Sequence, residues 1–215
     1  MANGQWFLSS EGTRWWFDSG ALSLDFAYTG SMGDNPAWEK LHSASDLGDW
    51  LGERFERYGD EATDGALTDA KGLRDAIARL AHAQSAGTGM QADDIDTVNL
   101  FAATPDIPPA LDGGRRQAGA SRIRTGQALA TIARDAVDLF GRNVDGRIRQ
   151  CAANDCGLVF YDESRTNNRR WCSMQRCGNR AKVRAFRTRS VGAIASQSHG
   201  ASPDEAVPRR LEREL

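Results

Sequence analysis

Four stretches of the chain repeat apolar residues at the period of an amphipathic helix. They predict helices from Ser45 to about Arg57, from Thr68 to about Ala83, from about Ala92 to Ala103, and from about Thr125 to Phe140. The fourth pattern is the clearest, because Leu129, Ile132 and Ala136 fall on one stripe. Gly141 follows it, and glycine is a common residue at the end of a helix.

Shorter patterns predict a few strands. Residues 14–30 read as two strands broken near Gly20, the second carrying apolar residues at every other position, and 157–161 is a short β-prone run before a turn at 162–168. One or two weak strands are predicted between 107 and 123. A final helix is predicted over 178–189. Together these elements predict an α+β fold.

Changes in composition and pattern suggest the domain boundaries. We predict a flexible lead-in over 1–13, an α+β domain over 14–141, a linker over 142–146, a small second domain over 147–190, and a disordered tail over 191–215. Because the linker is short, the second domain is expected to pack on the fourth helix.

The overall composition is that of an ordinary globular protein. The 215 residues are 40 % hydrophobic and 26 % charged. No apolar run approaches the roughly 18 residues that cross a membrane, and the first residues show no basic start followed by an apolar segment. We therefore expect a cytoplasmic protein with no membrane partner.

Charge is distributed unevenly along the chain. Residues 1–141 contain 12 Lys and Arg against 21 Asp and Glu, a net charge of −9, whereas 142–190 contain 12 against 4, a net charge of +8. A basic module beside an acidic one suggests a polyanionic partner for the basic part. The alternative is that the two halves attract each other, and some arginines would also offset the charge of a metal–thiolate centre.

All four cysteines lie in the basic part, as two pairs with the same spacing. Cys151 and Cys156 are separated by four residues, as are Cys172 and Cys177, and fifteen residues lie between the pairs. Such pairs can present four sulfurs to one tetrahedral zinc ion. Two disulfides are the alternative reading, but they require an oxidising compartment.

Four thiolates would fill the coordination sphere of zinc, so the ion is predicted to be structural. The layout of a knuckle, a hairpin and a ligand at a helix start is that of a treble clef. Trp171 and Phe186 are predicted to form the small core of this module, because it has few other large residues.

The segment Cys177-Gly178-Asn179-Arg180, following Arg169-Arg170-Trp171-Cys172-Ser173-Met174, resembles the CGNR zinc finger. This finger ends bacterial proteins whose N-terminal part is the ABATE domain, regarded as stress-induced transcriptional regulators. The start of ABATE, commonly Gly-x-x-x-Leu-Asp-Phe-x-Asn-Thr, resembles residues 20–29, although Tyr28 stands where the family usually has Asn.

This resemblance offers candidate residues for an effector site. Asp25, Tyr28 and Thr29 are candidates to line a small-molecule pocket. The favoured reading is structural, in which Asp25 caps a turn or accepts hydrogen bonds from backbone amides.

Basic residues around the second cysteine pair are the candidates for binding nucleic acid. They are Arg165, Arg169, Arg170, Arg180, Lys182, Arg184, Arg187 and Arg189. At 100° per residue, Arg180, Arg184 and Arg187 share one stripe of the final helix, while Lys182 and Arg189 share another. Such an array can neutralise several phosphates.

These observations predict a DNA-binding transcriptional regulator whose N-terminal domain senses an effector or dimerises. An RNA-binding module, or an adaptor for an acidic protein, is the alternative. No enzymatic activity is expected, because phosphate-loop and nucleophile motifs such as GxxxxGK[ST] and GxSxG do not occur and nothing assembles a nucleophile with a base. A small-molecule enzyme in the N-terminal domain would need a deep polar pocket around Asp25.

Overall fold

A computed structural model of the chain describes residues 4–8, 12–30, 32, 38–109, 122–141 and 146–197. The chain divides into two compact units, Met1–Gly178 and Asn179–Leu215. The mixed α+β class is confirmed, with two small antiparallel sheets among the helices.

The elements follow one another in a simple order. They are β1 (Gln5–Leu8), β2 (Arg14–Phe17), α1 (Leu22–Ala27), α2 (Ala44–Arg54), α3 (Asp64–Ala86), α4 (Ala92–Ala102), α5 (Thr125–Gly141), β3 (Ile148–Gln150), β4 (Val159–Tyr161), a π-helical turn (Met174–Gly178) and α6 (Asn179–Gln197). The four amphipathic helices are therefore confirmed as α2 to α5, and the predicted final helix as α6.

The helix starts differ from those predicted where a different residue provides the cap. α3 begins a turn before Thr68, because the Thr63 hydroxyl accepts the Ala66 amide at 3.1 Å. α2 begins with a capping box, in which Ser43 and Asp46 each bind the other's backbone amide.

The N-terminal segment departs from the prediction in two ways. The expected lead-in contains β1, which pairs with β2 and buries Phe7. The expected second strand is the helix α1, whose six residues are all buried. A helix that is buried on every side needs no apolar stripe of helical period. The apolar residues of α1 alternate along the sequence, and this pattern led to the prediction of a strand.

The core lies where α1, α3, α4 and α5 pack together. Leu24, Phe26, Leu73, Ile77 and Ile132 are fully buried there. The inner face of the first sheet adds an aromatic cluster, in which Phe7, Phe17 and Tyr28 meet edge to face.

The second sheet packs against α3, not against α5 as expected. The predicted strand at 157–161 forms as β4, and its partner is β3 on the other side of the first cysteine pair. This partner was not predicted. Its three residues, Ile-Arg-Gln, are too few to show a period.

Contacts separate the chain after Gly178, whereas the sequence placed a boundary at 142–146. Residues 142–145 lie outside the described part, as do most of the weak strands expected at 107–123 and residues 198–215 of the expected tail. α6 extends to Gln197, so residues 191–197 of the expected tail lie in this helix. Within the described residues, no helix combines the length and the apolar character that crossing a membrane requires.

Candidate metal centre

The four cysteines, far apart in sequence, come together in the first compact unit. Their sulfurs all lie within 4.8 Å of one another, and three of the four side chains are buried. Among the residues that the structure describes, they form the one group of three or more ligand-type side chains arranged to hold a metal ion.

The backbone around each pair sets the directions of the sulfurs. In the first pair, the Cys151 amide donates to the Leu158 carbonyl at 2.8 Å and the Cys156 amide to the Ala153 carbonyl at 3.0 Å. In the second, a π-helical turn carries Cys177, and the Gly178 amide donates to the Ser173 carbonyl at 3.0 Å. The pairs thus sit on separate turns that face each other.

Distances between the sulfurs distinguish a metal site from disulfides. The Cys156 and Cys172 sulfurs are 3.7 Å apart, and those of Cys172 and Cys177 are 3.5 Å apart. A disulfide requires about 2.0 Å, and all four cysteines are free thiols, so the disulfide alternative is wrong. Tetrahedral zinc with bonds of about 2.3 Å places its sulfur ligands about 3.8 Å apart, close to the observed spacing.

Close packing of the sulfurs shifts the pKa of three of the thiols. Hydrogen bonds from the neighbouring thiols of Cys156 and Cys172 lower the pKa of Cys151. The same pairing with Cys151 raises the pKa of both Cys156 and Cys172. One negative charge is therefore easily held, but four thiolates need a positive ion at their centre.

Comparison with protein families agrees with this site. Residues 147–190 match the family model described as "CGNR zinc finger", and residues 20–143 match the ABATE model, described as "Putative stress-induced transcription regulator". The chain belongs to the ABATE family. A comparison with curated proteins found no match. In this ABATE protein the CGNR match and the cysteine geometry together give one structural Zn²⁺, with Cys151, Cys156, Cys172 and Cys177 as the available ligands.

The effector pocket predicted in the ABATE segment is not present at Asp25, Tyr28 and Thr29. All three side chains are fully buried. The Tyr28 hydroxyl donates to the Val159 carbonyl at 2.8 Å and accepts from the Val159 amide at 2.7 Å. The Thr29 hydroxyl donates to the Phe26 carbonyl at 2.8 Å. The residues bind the protein itself, so the pocket prediction is wrong.

Asp25 follows the structural reading, since its carboxylate accepts hydrogen bonds from the protein. The Ser19 hydroxyl donates to it at 2.6 Å, and the Gly4 amide donates to its other oxygen. Burial raises the pKa of Asp25 above its ordinary value, although these hydrogen bonds and Arg54 oppose the rise. The carboxyl group of Asp25 thereby links Gly4, just before β1, to α1.

Tyr28 closes the outer edge of β4 where a further strand would otherwise pair. Val159 lies opposite Gln150 in the sheet, while its own amide and carbonyl both bind the Tyr28 hydroxyl. Farther along this edge the Tyr161 amide donates to the Ser19 carbonyl at 2.8 Å. Tyr28, within the ABATE match, and Ser19, one residue before it, thus complete the sheet that flanks the cysteines.

Arg169, predicted to bind nucleic acid, also links the segment between β2 and α1 to the second cysteine pair. Its guanidinium donates to the carbonyls of Asp18 at 2.7 Å and Cys172 at 2.6 Å, and lies 4.2 Å from the centre of the Phe160 ring. Burial lowers its pKa. These contacts occupy Arg169, so its main role is structural.

Asp162 anchors the loop between β4 and the second cysteine pair. Its buried carboxylate accepts the amides of Ser164 at 2.9 Å and Arg169 at 2.7 Å. Burial would raise the pKa of Asp162, but these hydrogen bonds and the nearby Arg149 lower it overall. A charged group is therefore stable inside this loop.

The other predicted basic residues remain at the surface. Arg165 and Arg170 are exposed, Arg180 is half-buried, and Lys182, Arg184, Arg187 and Arg189 are exposed on α6. Trp171 packs partly against the core, as predicted. Phe186 does not, because its side chain is 65 % exposed.

Sequence reasoning missed the structural roles of Tyr28 and Asp162, and it missed Trp6 and Trp16, which lie on an exposed sheet face. The alternation of exposed and buried residues over 5–8 and 14–17 was a usable signal for that sheet. No signal in the sequence pairs Tyr28 with Val159.

Proposed function

We propose that this ABATE-family protein is a transcriptional regulator that binds duplex DNA through α6. Zinc would act structurally, in a treble-clef arrangement of the knuckle, the sheet and the helix start. The observation that carries the proposal is the charge of α6. From Asn179 to Gln197 it contains five basic residues and no acidic one.

The placement of these charges suits a helix in the major groove. Arg180, Arg184 and Arg187 lie on one side of α6, and Lys182 with Arg189 lies on the opposite side. A helix in that groove runs between two phosphate backbones, so basic residues are useful on both sides. One or two arginines could also reach guanine edges.

The family description supports regulation, and the acidic 20–143 segment is the candidate for receiving the signal, by binding an effector elsewhere on its surface or by dimerising. A cytoplasmic location would keep the thiols reduced for zinc.

The test is fluorescence anisotropy of the full, zinc-loaded chain with a 20-base-pair duplex at about 100 mM salt. Arg184→Ala with Arg187→Ala is expected to weaken binding by about 10- to 100-fold and to reduce the salt slope by about 2, because two phosphate contacts are lost. Zinc content should stay at one per chain. The matched control is Arg57→Ala with Arg124→Ala, which removes two exposed arginines from the acidic part and should change affinity little.

Undetectable duplex binding under these conditions would contradict the proposal. Tighter binding of a folded RNA, or of an acidic protein, would favour the alternative partners. A double variant that loses zinc would show that the α6 arginines are structural.

A further inference from the structure

The outer face of the first sheet carries aromatic and basic side chains. Trp6 and Trp16 are directly opposite each other across β1 and β2, with ring centres 5.4 Å apart, and the Arg14 guanidinium lies 5.0 Å from the centre of the Trp6 ring. Trp6 is 52 % exposed and Trp16 39 % exposed. Exposed indole rings held in fixed positions are unusual on a surface with no partner.

Backbone contact holds the Trp16 ring in place. Gly4 has a positive φ of 104°, and a Cβ there would lie 2.6 Å from the ring. The ring therefore rests on a bare stretch of backbone on one side. Such a platform loses little conformational entropy when a ligand stacks on it.

Trp16 also borders an open groove of about 590 Å³ that extends to the second cysteine pair. Trp171 and Met174 contribute its other large apolar surfaces, and the Arg170 guanidinium lies 5.2 Å from the centre of the Trp171 ring. Met174 is 51 % exposed. The groove thus combines two indoles, a thioether and an exposed cation.

The polar lining of the groove suits nucleobase edges. Asn168, Ser173 and Gln175 offer both donors and acceptors. Asp18 is the acidic residue that lines the groove, and its carboxylate already accepts the Gly20 amide at 2.9 Å. A second cleft bordered by Trp16 is lined by equal numbers of acidic and basic residues, which are Asp46, Asp49, Glu53, Arg14, Lys40 and Arg54. The groove itself is lined by Arg169 and Arg170 against Asp18, so phosphates are expected on the Arg170 side.

We propose that this Trp–Arg groove, lined by Trp16, Arg170, Trp171 and Met174, binds unpaired bases of single-stranded nucleic acid. Bases would stack on the indoles while Arg170 neutralises a phosphate, the combination that sequence-tolerant single-strand binders use. The groove is open to solvent, so it can admit a base that remains attached to a chain. This site goes beyond duplex binding by α6 and does not depend on it.

The test compares two replacements of Trp16 of similar size in the full, zinc-loaded protein. Anisotropy with a labelled 12-nucleotide oligothymidylate is expected to show about tenfold weaker binding for Trp16→Leu and less than threefold for Trp16→Tyr, because only tyrosine keeps a stacking face. Leu100→Ala, at an exposed apolar site on α4, is the control and should bind as the parent does. Arg170→Ala should reduce the salt slope by about 1.

Two further measurements distinguish loss of the fold from loss of the binding site. All variants should keep one zinc per chain and the same melting temperature within a few degrees, and binding should quench tryptophan fluorescence less in Trp16→Tyr than in the parent. Duplex affinity should be unchanged in Trp16→Leu, so failure of duplex binding in every variant would count against α6 and not against the groove. The inference is overturned if Leu and Tyr replacements bind oligothymidylate equally, or if thymidine monophosphate binds as tightly as the oligonucleotide.

Discussion

The two sheets of the first unit each have two antiparallel strands but opposite surroundings. In the second sheet, Val159 and Phe160 are buried, zinc ligands stand at one end and Tyr28 occupies the outer edge. In the first sheet, one face builds the aromatic cluster of the core, while Trp6 and Trp16 on the other face remain exposed.

The difference shows how two short strands become stable by different means. An isolated two-stranded ribbon is marginal in water. The second sheet is supported by the adjoining cysteine centre, by the α3 surface and by the Tyr28 hydroxyl. The first sheet relies on one apolar face, which leaves its other face available for a partner.

Removing one zinc ligand should have the largest effect on stability, and that effect should fall on the second sheet. Cys172→Ser is expected to abolish stoichiometric zinc and to unfold the second sheet, because metal binding in small zinc modules supplies on the order of 10 kcal/mol of folding free energy. The measurements are zinc content and urea unfolding. Ser173→Ala is the neighbouring control and should retain both. A Cys172→Ser protein that keeps one zinc and the parent's unfolding midpoint would show that the sheet does not need the four-sulfur centre.

Tyr28→Phe should have an intermediate effect. It leaves the Val159 amide and carbonyl buried without their partner, which should lower the free energy of unfolding by about 1–3 kcal/mol. Urea unfolding in saturating zinc measures the change. Tyr58→Phe is the matched control, since its hydroxyl bonds Thr125 at 2.9 Å in a half-exposed place where water can substitute. If both variants lose the same free energy of unfolding, water reaches the β4 edge and replaces the Tyr28 hydroxyl there.

Trp6→Ala should have the smallest effect. A cross-strand aromatic pair on an exposed face contributes below about 1 kcal/mol. Phe7→Ala changes the next residue on the same strand but removes a buried ring, and it should cost about 3–5 kcal/mol. Thermal melts of the two variants give the comparison. If Trp6→Ala costs as much as Phe7→Ala, the outer face is covered in the folded protein and is not a binding surface.

Much of the architecture could be predicted because its signals are local. The helices α2 to α5 each repeat apolar residues at one period. Their bounds moved by a few residues, because Ser43 and Thr63 cap α2 and α3 earlier than predicted, and α2 ends at Arg54 while α3 extends to Ala86. α1 was misread because complete burial removes the contrast between its faces. β3 was missed because its three residues gain strand geometry only by pairing with β4.

Sequence by itself determined the zinc centre and the basic helix of this protein. Four cysteines in two equal pairs leave few chemical alternatives, and a run of arginines with no acidic residue keeps its charge in any fold. Only the tertiary structure decided that Tyr28 and Asp25 are internal supports, and that Trp16 faces an open groove. The reason is separation along the chain, since Tyr28 and Val159 are 131 residues apart. The two residues meet only when the helices between them have packed together.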